Sequence, residues 1–217
     1  MNVLIDLDGT LTDPREGMFA CFRHALAAVD CGIPSDKTLE ACIGPPVHES
    51  LRRFLGTEKE DRFEEALVSY RERFSSKGLY ENAVYPGVRE ALVQLRGRGV
   101  SLHLATSKPL VYATRIMAHF GLTRFFSSIH GSELDGTRSH KDELIRHIIE
   151  TESLERSATR MVGDRAYDVI GAKANGVIPV GVLWGYGTRE ELLSAGAQFL
   201  CERPAMLIDV LSPGGVH

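Results

Sequence analysis

The chain has 217 residues, enough for one large domain or for one domain with a smaller companion, and too few for a multidomain assembly. Hydrophobic residues make up 43% and charged residues 25%, which is typical of a globular protein and speaks against intrinsic disorder. The formal net charge of −4, without any basic run, argues against a nucleic acid polymer as partner and leaves a single nucleotide open. No apolar stretch approaches the roughly 20 residues that cross a bilayer, so we expect no membrane association.

The start of the chain lacks the basic residues and the long apolar run of a signal peptide. The four cysteines, Cys21, Cys31, Cys42 and Cys201, form no C-x-x-C pair, although their even number leaves two disulfides as an alternative. We therefore predict a cytoplasmic protein with reduced thiols. The sequence leaves a monomer and a homodimer equally open.

Short aliphatic runs alternate with amphipathic helical patterns along most of the chain. Strands are predicted at residues 3–5, 100–105, 126–129, 159–162 and 178–183, and helices at residues 88–98, 109–120 and 142–149. Strands that alternate with helices indicate crossover connections and a sheet covered on both faces. We predict an α/β fold with a parallel, Rossmann-like sheet.

Residues 14–84 interrupt this alternation, because they show helical periodicity and no convincing strand. Two apolar stripes at helical spacing mark the inner faces of packed helices: Met18, Phe22, Ala25, Leu26 and Val29, and Phe63, Leu67, Tyr70 and Phe74. A partner-binding surface is the alternative reading of these stripes. We predict a helical cap domain at 14–84, inserted into a core domain formed by 1–13 and 85–217.

Polar residues follow the predicted strands at the edge where parallel α/β sheets bind their ligands. They are Asp6 and Asp8, Thr106 and Ser107, Lys141, and Asp164 and Asp168. Each group alone has an ordinary alternative: loop acids, a helix cap, or a solvated lysine. Together they are more specific, because two carboxylates about 4 Å apart repel by roughly 4 kcal/mol at an effective dielectric constant near 20 and need a cation between them. An all-oxygen ligand set favours Mg²⁺, and the Asp-x-Asp-x-Asp-Gly loop of a structural Ca²⁺ site is missing.

Four motifs, in chain order, resemble those of the haloacid dehalogenase superfamily of phosphohydrolases. They are Asp6-Leu7-Asp8-Gly9-Thr10-Leu11, Thr106-Ser107, Lys141, and Gly163-Asp164 with Asp168. The cap inserted between the first two motifs is similar to that of the phosphoglycolate phosphatase-like branch. The resemblance implies a Mg²⁺-dependent phosphomonoesterase that works through an aspartyl-phosphate.

The resemblance also implies a role for each residue. Asp6 is the expected nucleophile, and Asp8 the acid that protonates the leaving group and then the base that activates water. Thr106, Ser107 and Lys141 are expected to bind the phosphoryl group. The expected metal site comprises Asp6, Asp8 through its backbone carbonyl, Asp164 and Asp168, the last through metal-bound water or by orienting Lys141. Asp8 favours phosphatase over dehalogenase chemistry, because expulsion of halide needs no proton.

The substrate is predicted less directly. His48 and Arg52 follow a Gly-Pro-Pro turn of the cap and could bind the leaving group; alternatively His48 caps a helix and Arg52 faces solvent. Residues 131–139 and 181–187 resemble 5′-nucleotidases of this branch, and Trp184 and Tyr186 could stack on a base or pack locally. We expect a small phosphorylated metabolite, favouring nucleoside 5′-monophosphates. Phosphoglycolate or another small phosphomonoester, a phosphotransferase, and a catalytically silent phosphate-binding module stay open as alternatives.

Overall fold

The computed structural model describes residues 1–211, so the last six residues of the predicted core lie outside the described part. The chain divides into a larger unit, Met1–Thr12 with Val84–His217, and a smaller unit, Asp13–Ala83. None of the helices between residues 1 and 211 is both long and apolar enough to cross a membrane. The four cysteines are free thiols.

The strands and helices are as follows. The strands are β1 (Asn2–Ile5), β2 (Thr12–Asp13), β3 (Ala83–Val84), β4 (Ser101–Pro109), β5 (Ser128–Ser132), β6 (Thr159–Gly163), β7 (Ile178–Val182) and β8 (Phe199–Cys201). The helices are α1 (Arg15–Ala28), α2 (Asp36–Glu40), α3 (Val47–Leu55), α4 (Phe63–Arg73), α5 (Val88–Gly97), α6 (Leu110–His119), α7 (Lys141–Thr151), α8 (Ala166–Ala174), α9 (Arg189–Ala195) and α10 (Leu207–Val210).

A six-stranded parallel sheet in the order β5-β4-β1-β6-β7-β8 forms the larger unit and confirms the predicted α/β fold. The first strand lies in the interior of the sheet, with Ile5 opposite Leu104 of β4 on one side and Val162 of β6 on the other. The chain adds β4 and β5 on one side of β1 and then β6, β7 and β8 on the other. At such a reversal of strand order, α/β sheets bind their ligands beyond the carboxyl ends of the strands.

The core explains why these residues form the sheet and its helices. Val3, Leu4 and Ile5 are fully buried, as expected for a central strand covered on both faces. Helix α7 contributes Leu144, Ile145, Ile148 and Ile149 to a buried cluster that contains Leu4 and Met161. These four positions recur at helical spacing, so one face of α7 packs on the sheet.

Three details of the strands differ from the predictions. Residues 126–127 precede β5, because a 3₁₀ turn at Thr123–Phe125 holds the chain, with the Phe126 amide donating to the Thr123 carbonyl. Pro109 is extended, with ψ of 131°, so β4 continues to Pro109 and α6 begins at Leu110. Strand β8 was not predicted, since three residues are too few for a pattern.

The smaller unit is helical, and both predicted stripes are buried within it. Phe22 of α1 and Tyr70 of α4 lie with ring centroids 5.0 Å apart. A π-helical turn at Phe74–Gly78 follows α4. Residues 14–84 contain one short strand after all, because Ala83–Val84 pairs with Thr12–Asp13 in a two-stranded ribbon.

Candidate active site

The site is built around Asp6, the first residue after β1. Its backbone amide donates to the carbonyl of Val162, which continues the pairing between β1 and β6 by one residue. The chain then turns sharply: the amides of Leu11 and Thr12 both donate to the carbonyl of Leu7. Gly9 has φ of +85°, a conformation that disfavours side chains, and this explains the glycine in the first motif. Asp6 itself is buried.

Lys141, the first residue of α7, supplies the positive charge. Its Nζ lies 2.7 Å from Oδ1 of Asp6 and 2.6 Å from Oδ1 of Asp168, and donates to the carbonyl of Ala105 at 2.8 Å. Burial acts to lower the pKa of Lys141, but the carboxylates of Asp168 and Asp6 outweigh it and raise this pKa above its usual value. Lys141 is therefore a permanent cation that links the first motif to the fourth.

Asp164 and Asp168 close the other side. Helix α8 begins at Ala166, so Asp164 precedes the helix and Asp168 lies in its first turn. Asp164 is fully buried and accepts the Tyr186 amide at 2.8 Å and the Thr10 hydroxyl at 3.4 Å. Burial, and then the charges of Asp168 and Asp6, raise its pKa well above the ordinary value. Burial also raises the pKa of Asp168 to about 6, against the opposing effect of Lys141.

The carboxylates of Asp6, Asp164 and Asp168 offer ligand oxygens within 4.8 Å of one another, and all three residues are buried. In their ionised forms, the three carboxylates outnumber the single positive charge of Lys141. This excess of buried negative charge and the all-oxygen donor set fit a hard divalent cation such as Mg²⁺. The residues present are therefore suited to hold the predicted metal.

The general-acid candidate, Asp8, has a partner that the sequence did not predict. Lys108 Nζ lies 2.8 Å from Oδ1 and 2.6 Å from Oδ2 of Asp8, and both side chains are largely buried. Burial raises the pKa of Asp8, whereas Lys108 acts to lower it. The Asp8 carboxylate is thus paired with Lys108. The predicted metal ligand of Asp8 is its backbone carbonyl, which this pairing does not involve.

The second motif continues the same strand as Lys108. Thr106 is buried, and its Oγ1 accepts the Lys108 amide at 3.2 Å. The Ser107 carbonyl accepts the Ser132 hydroxyl of β5 at 2.8 Å. The motif is therefore held by the neighbouring strand and by its own backbone. It does not cap a helix, because Pro109 is the residue that precedes α6.

The order of these motifs along a parallel sheet, with a buried carboxylate cluster at its interior strand, agrees with one family. The model of the haloacid dehalogenase-like hydrolases matches residues 3–182. The chain belongs to the haloacid dehalogenase-like hydrolase family. This confirms the assignment predicted from the four motifs.

Relatives of this hydrolase carry several functional names. It is 47% identical to a 5′-nucleotidase of Pseudomonas aeruginosa over 97% of its own length and 95% of that protein. It is 41% identical to the tyrosine-protein kinase PtkA of Mycobacterium tuberculosis over 85% of its length, which spans 62% of PtkA. A phosphoglycolate phosphatase of Neisseria gonorrhoeae is 28% identical over 85% of this chain and 80% of that one.

The fold of the hydrolase is also that of a solved structure. The crystal structure of a predicted phosphatase from Clostridium acetobutylicum superposes with a TM-score of 0.91 at 38% identity, covering 97% of each chain. The agreement extends over the parallel sheet and the helical insertion.

The two predicted substrate-binding residues of the cap, His48 and Arg52, lie on α3 of the smaller unit. Pro46 precedes this helix without a side-chain cap, so His48 does not cap it. Arg52 is half-exposed, pairs with Glu60 at 3.1 Å, and lies 4.1 Å from the ring centroid of Phe63. Their contact with a substrate stays a prediction.

Sequence reasoning missed Lys108 and the role of the loop after β7. Lys108 stands next to the second motif, but an isolated lysine is usually a solvated charge. Trp184 donates its indole Nε1–H to the Thr10 carbonyl at 2.9 Å, and the Tyr186 amide binds Asp164, so this loop contacts the site through its backbone and one ring nitrogen. The repeated glycines at 181, 185 and 187 were the available signal.

Proposed function

We propose that this hydrolase is a Mg²⁺-dependent phosphomonoesterase that works through an aspartyl-phosphate on Asp6. The observation that carries the proposal is the buried Asp6 carboxylate, 2.7 Å from Lys141, with the second acid, Asp8, two residues further on. A carboxylate nucleophile beside a fixed cation, followed by an acid–base group, suits attack on phosphorus and later hydrolysis of the acyl phosphate.

Asp6, Lys141 and Asp8 carry the two chemical steps of this mechanism. Asp6 attacks phosphorus in line while Lys141 offsets the negative charge of both the carboxylate and the incoming phosphoryl group. Asp8 protonates the departing alkoxide, and in its ionised form accepts a proton from the water that attacks the aspartyl-phosphate. Burial raises the pKa of Asp8 and favours its protonated form, whereas Lys108 favours the ionised form. The site therefore contains one influence that favours the acid and one that favours the base.

Thr106 and Ser107 are proposed to hydrogen-bond phosphoryl oxygens. Asp6, Asp164 and the Asp8 carbonyl are proposed to hold Mg²⁺, with Asp168 acting through water or through Lys141. The ion, when bound, would neutralise and align the phosphate dianion. Asp168 lies 2.6 Å from Lys141, which supports the orienting role.

For the substrate we propose a nucleoside 5′-monophosphate. The support is the 47% identity with a protein named 5′-nucleotidase, which covers nearly the full length of both chains. The second candidate, 2-phosphoglycolate or another small phosphomonoester, has the more distant relative at 28% identity in its favour. We further propose that residues 14–84 act as the cap over a catalytic core of 1–13 and 85–217, and that the enzyme is cytoplasmic.

A survey of kcat/KM with Mg²⁺ across nucleoside 5′-monophosphates, 2-phosphoglycolate and sugar phosphates tests the substrate. We expect the nucleotides to be hydrolysed with the highest kcat/KM. A preference for phosphoglycolate would replace the nucleotide proposal and leave the mechanism intact. Because PtkA is named a kinase, the products should be analysed with an alcohol or a tyrosine peptide present; transfer in preference to hydrolysis would contradict the phosphatase assignment.

An aryl phosphate tests the mechanism and the silent-module alternative together. The aryl oxide leaves without protonation, so Asp8→Asn should still form the phosphoenzyme, detected as an added phosphoryl group by intact-protein mass spectrometry. Asp6→Asn should abolish both turnover and labelling. Full activity of Asp6→Asn would overturn the mechanism, and an inactive parent enzyme would favour a module that only binds phosphate.

Arg52→Ala tests the proposed cap contact, with Arg62→Ala as its matched control. Both arginines are partly exposed residues of the smaller unit that pair with a glutamate, Glu60 or Glu65. If Arg52 binds the leaving group, its loss raises KM for nucleotides and leaves KM for an aryl phosphate unchanged. Equal effects of both variants would contradict a specific contact.

A further inference from the structure

The loop after β7, residues 183–187, touches the proposed metal site from two sides. On one side, the Trp184 indole donates to the carbonyl of Thr10 at 2.9 Å, and the Thr10 hydroxyl in turn donates to Asp164 Oδ1 at 3.4 Å. On the other side, the Tyr186 amide donates to Asp164 Oδ2 at 2.8 Å. Both oxygens of the fully buried Asp164 are therefore oriented by groups that belong to this loop or are held by it.

Gly185 brings the loop backbone into direct contact with the same two elements. A β-carbon at this position would overlap the carbonyl oxygen of Gly9 and lie 2.5 Å from Oδ2 of Asp164. Such contacts cannot be relieved without moving the turn after β1 or the Asp164 carboxylate. The glycine therefore permits an approach that any side chain would prevent.

The loop is anchored at both ends, so it can hold these groups in place. At its start, the Leu183 amide donates to the Cys201 carbonyl of β8 at 2.9 Å. At its end, Thr188 caps α9 by accepting the Glu191 amide at 3.1 Å. Glu191 Oε1 also accepts the Ala166 amide at 2.8 Å, which ties α9 to the segment that follows Asp164.

We infer that the loop at 183–187 positions Asp164 and the Gly9–Thr10 turn for the divalent cation, with Trp184 as a positioning residue. The inference rests on the proposed metal site. A carboxylate already oriented by fixed donors loses less conformational freedom when the ion binds, so loss of a donor should weaken metal affinity.

Trp184 also gives the inference a direct readout, because it is the single tryptophan of the chain. Its indole N–H is one hydrogen bond from a residue that contacts Asp164, so its emission should change as Mg²⁺ binds. Titration of the metal-free enzyme with Mg²⁺ alone, without substrate, should give a saturable change. No change in emission, with Mg²⁺ binding demonstrated by calorimetry, would overturn the proposed link.

Trp184→Phe separates positioning from base stacking, since phenylalanine keeps an aromatic face and loses the N–H donor. We expect the Mg²⁺ concentration for half-maximal thermal stabilisation to rise about three- to tenfold, the loss expected for one hydrogen bond. KM for a nucleotide at saturating Mg²⁺ should be unchanged. A raised KM with unchanged Mg²⁺ response would show that Trp184 serves the substrate and overturn its role as a positioning residue.

Gly185→Ala should weaken the Mg²⁺ response more strongly, and Gly97→Ala is its matched control, because a β-carbon at 97 meets nothing within 4 Å. Thermal unfolding of each metal-free variant shows whether it folds. If Gly185→Ala does not fold, Trp184→Phe still tests the positioning role. Asp164→Asn separates a failure of the proposed metal site from a failure of the positioning role of the loop. If Asp164→Asn binds Mg²⁺ like the parent, the proposed metal site is wrong. If Asp164→Asn loses Mg²⁺ binding while Trp184→Phe and Gly185→Ala bind like the parent, only the positioning role is wrong.

Discussion

Replacement of Asp164 by asparagine should stabilise the metal-free protein while removing its response to Mg²⁺. Asn is nearly isosteric with Asp and retains an oxygen that can accept the Tyr186 amide. The change removes one negative charge from a fully buried group. In the absence of a cation, that charge is opposed by its own desolvation and by two neighbouring carboxylates.

The expected gain follows from the geometry. The ligand oxygens of Asp6, Asp164 and Asp168 lie within 4.8 Å of one another. Two unit charges at that distance repel by about 3.5 kcal/mol at an effective dielectric constant of 20. Asp164 experiences two such repulsions, offset in part by Lys141 and by its own raised pKa, so we expect a net gain of about 1 to 3 kcal/mol, or roughly 2 to 10 °C in Tm for a chain of this size.

Asp168→Asn removes the same charge from the same cluster and serves as the control. It relieves the repulsions between Asp168 and the other two carboxylates, Asp6 and Asp164, but also loses the contact with Lys141 at 2.6 Å. That contact is worth about 6 kcal/mol on the same scale, so relief and loss nearly cancel. Asp168→Asn should therefore bring no gain in the Tm of the metal-free protein.

The assay is thermal unfolding, followed by circular dichroism, in EDTA and in excess Mg²⁺. The parent should gain stability with Mg²⁺, and Asp164→Asn should start higher and gain little. A metal-free Asp164→Asn protein that melts below the parent would refute the reasoning, because it would mean that the ionised carboxylate is stabilised by its surroundings rather than opposed by them.

Three further predictions concern charged groups elsewhere. Lys108→Met should lower kcat/KM at least about tenfold, because it leaves the Asp8 carboxylate buried without its cation; unchanged steady-state kinetics would contradict a part for Lys108 in the site. Burial lowers the pKa of His130, so the unfolded chain takes up the proton more readily, and stability should fall as pH drops below about 6.5; His130→Gln should reduce the difference between Tm values at pH 7.5 and 5.5. Arg73→Met should cost about 1 to 3 kcal/mol in urea unfolding, because it removes two hydrogen bonds to Glu81, at 2.7 and 3.0 Å; an unchanged midpoint would show that the pair contributes nothing.

The sequence was sufficient for the sheet because burial on both faces leaves an aliphatic signature, as at Val3–Ile5. It was sufficient to bring acids and Lys141 to one edge because the carboxyl ends of parallel strands share that edge. The sequence was not sufficient where a contact depends on the direction of a side chain. The sequence presents Lys108 as a surface charge, whereas in the structure it lies in β4 and contacts Asp8.

The loop after β7 was missed for a different reason. Trp184 was predicted to stack on a base or to pack locally, and both interactions use the face of the aromatic ring. The structure adds a contact that neither expectation contained: the ring nitrogen donates to a backbone carbonyl 174 positions earlier in the chain. Such pairs between a side chain and a distant backbone group leave no periodic pattern to detect.

The interior position of β1 has a consequence for how the enzyme is made. Asp6 is synthesised almost first, but its partner Lys141 follows 135 positions later, and the contact between Thr10 and Asp164 spans 154 positions. A growing chain thus carries Asp6, the proposed nucleophile, for most of its synthesis without the groups that surround it in the folded site. Catalytic competence should arise late, when the segment that carries Asp164, Asp168 and the loop at 183–187 has left the ribosome and β6 and β7 have joined the sheet. Recovery of activity during refolding should therefore report formation of the sheet rather than any earlier collapse.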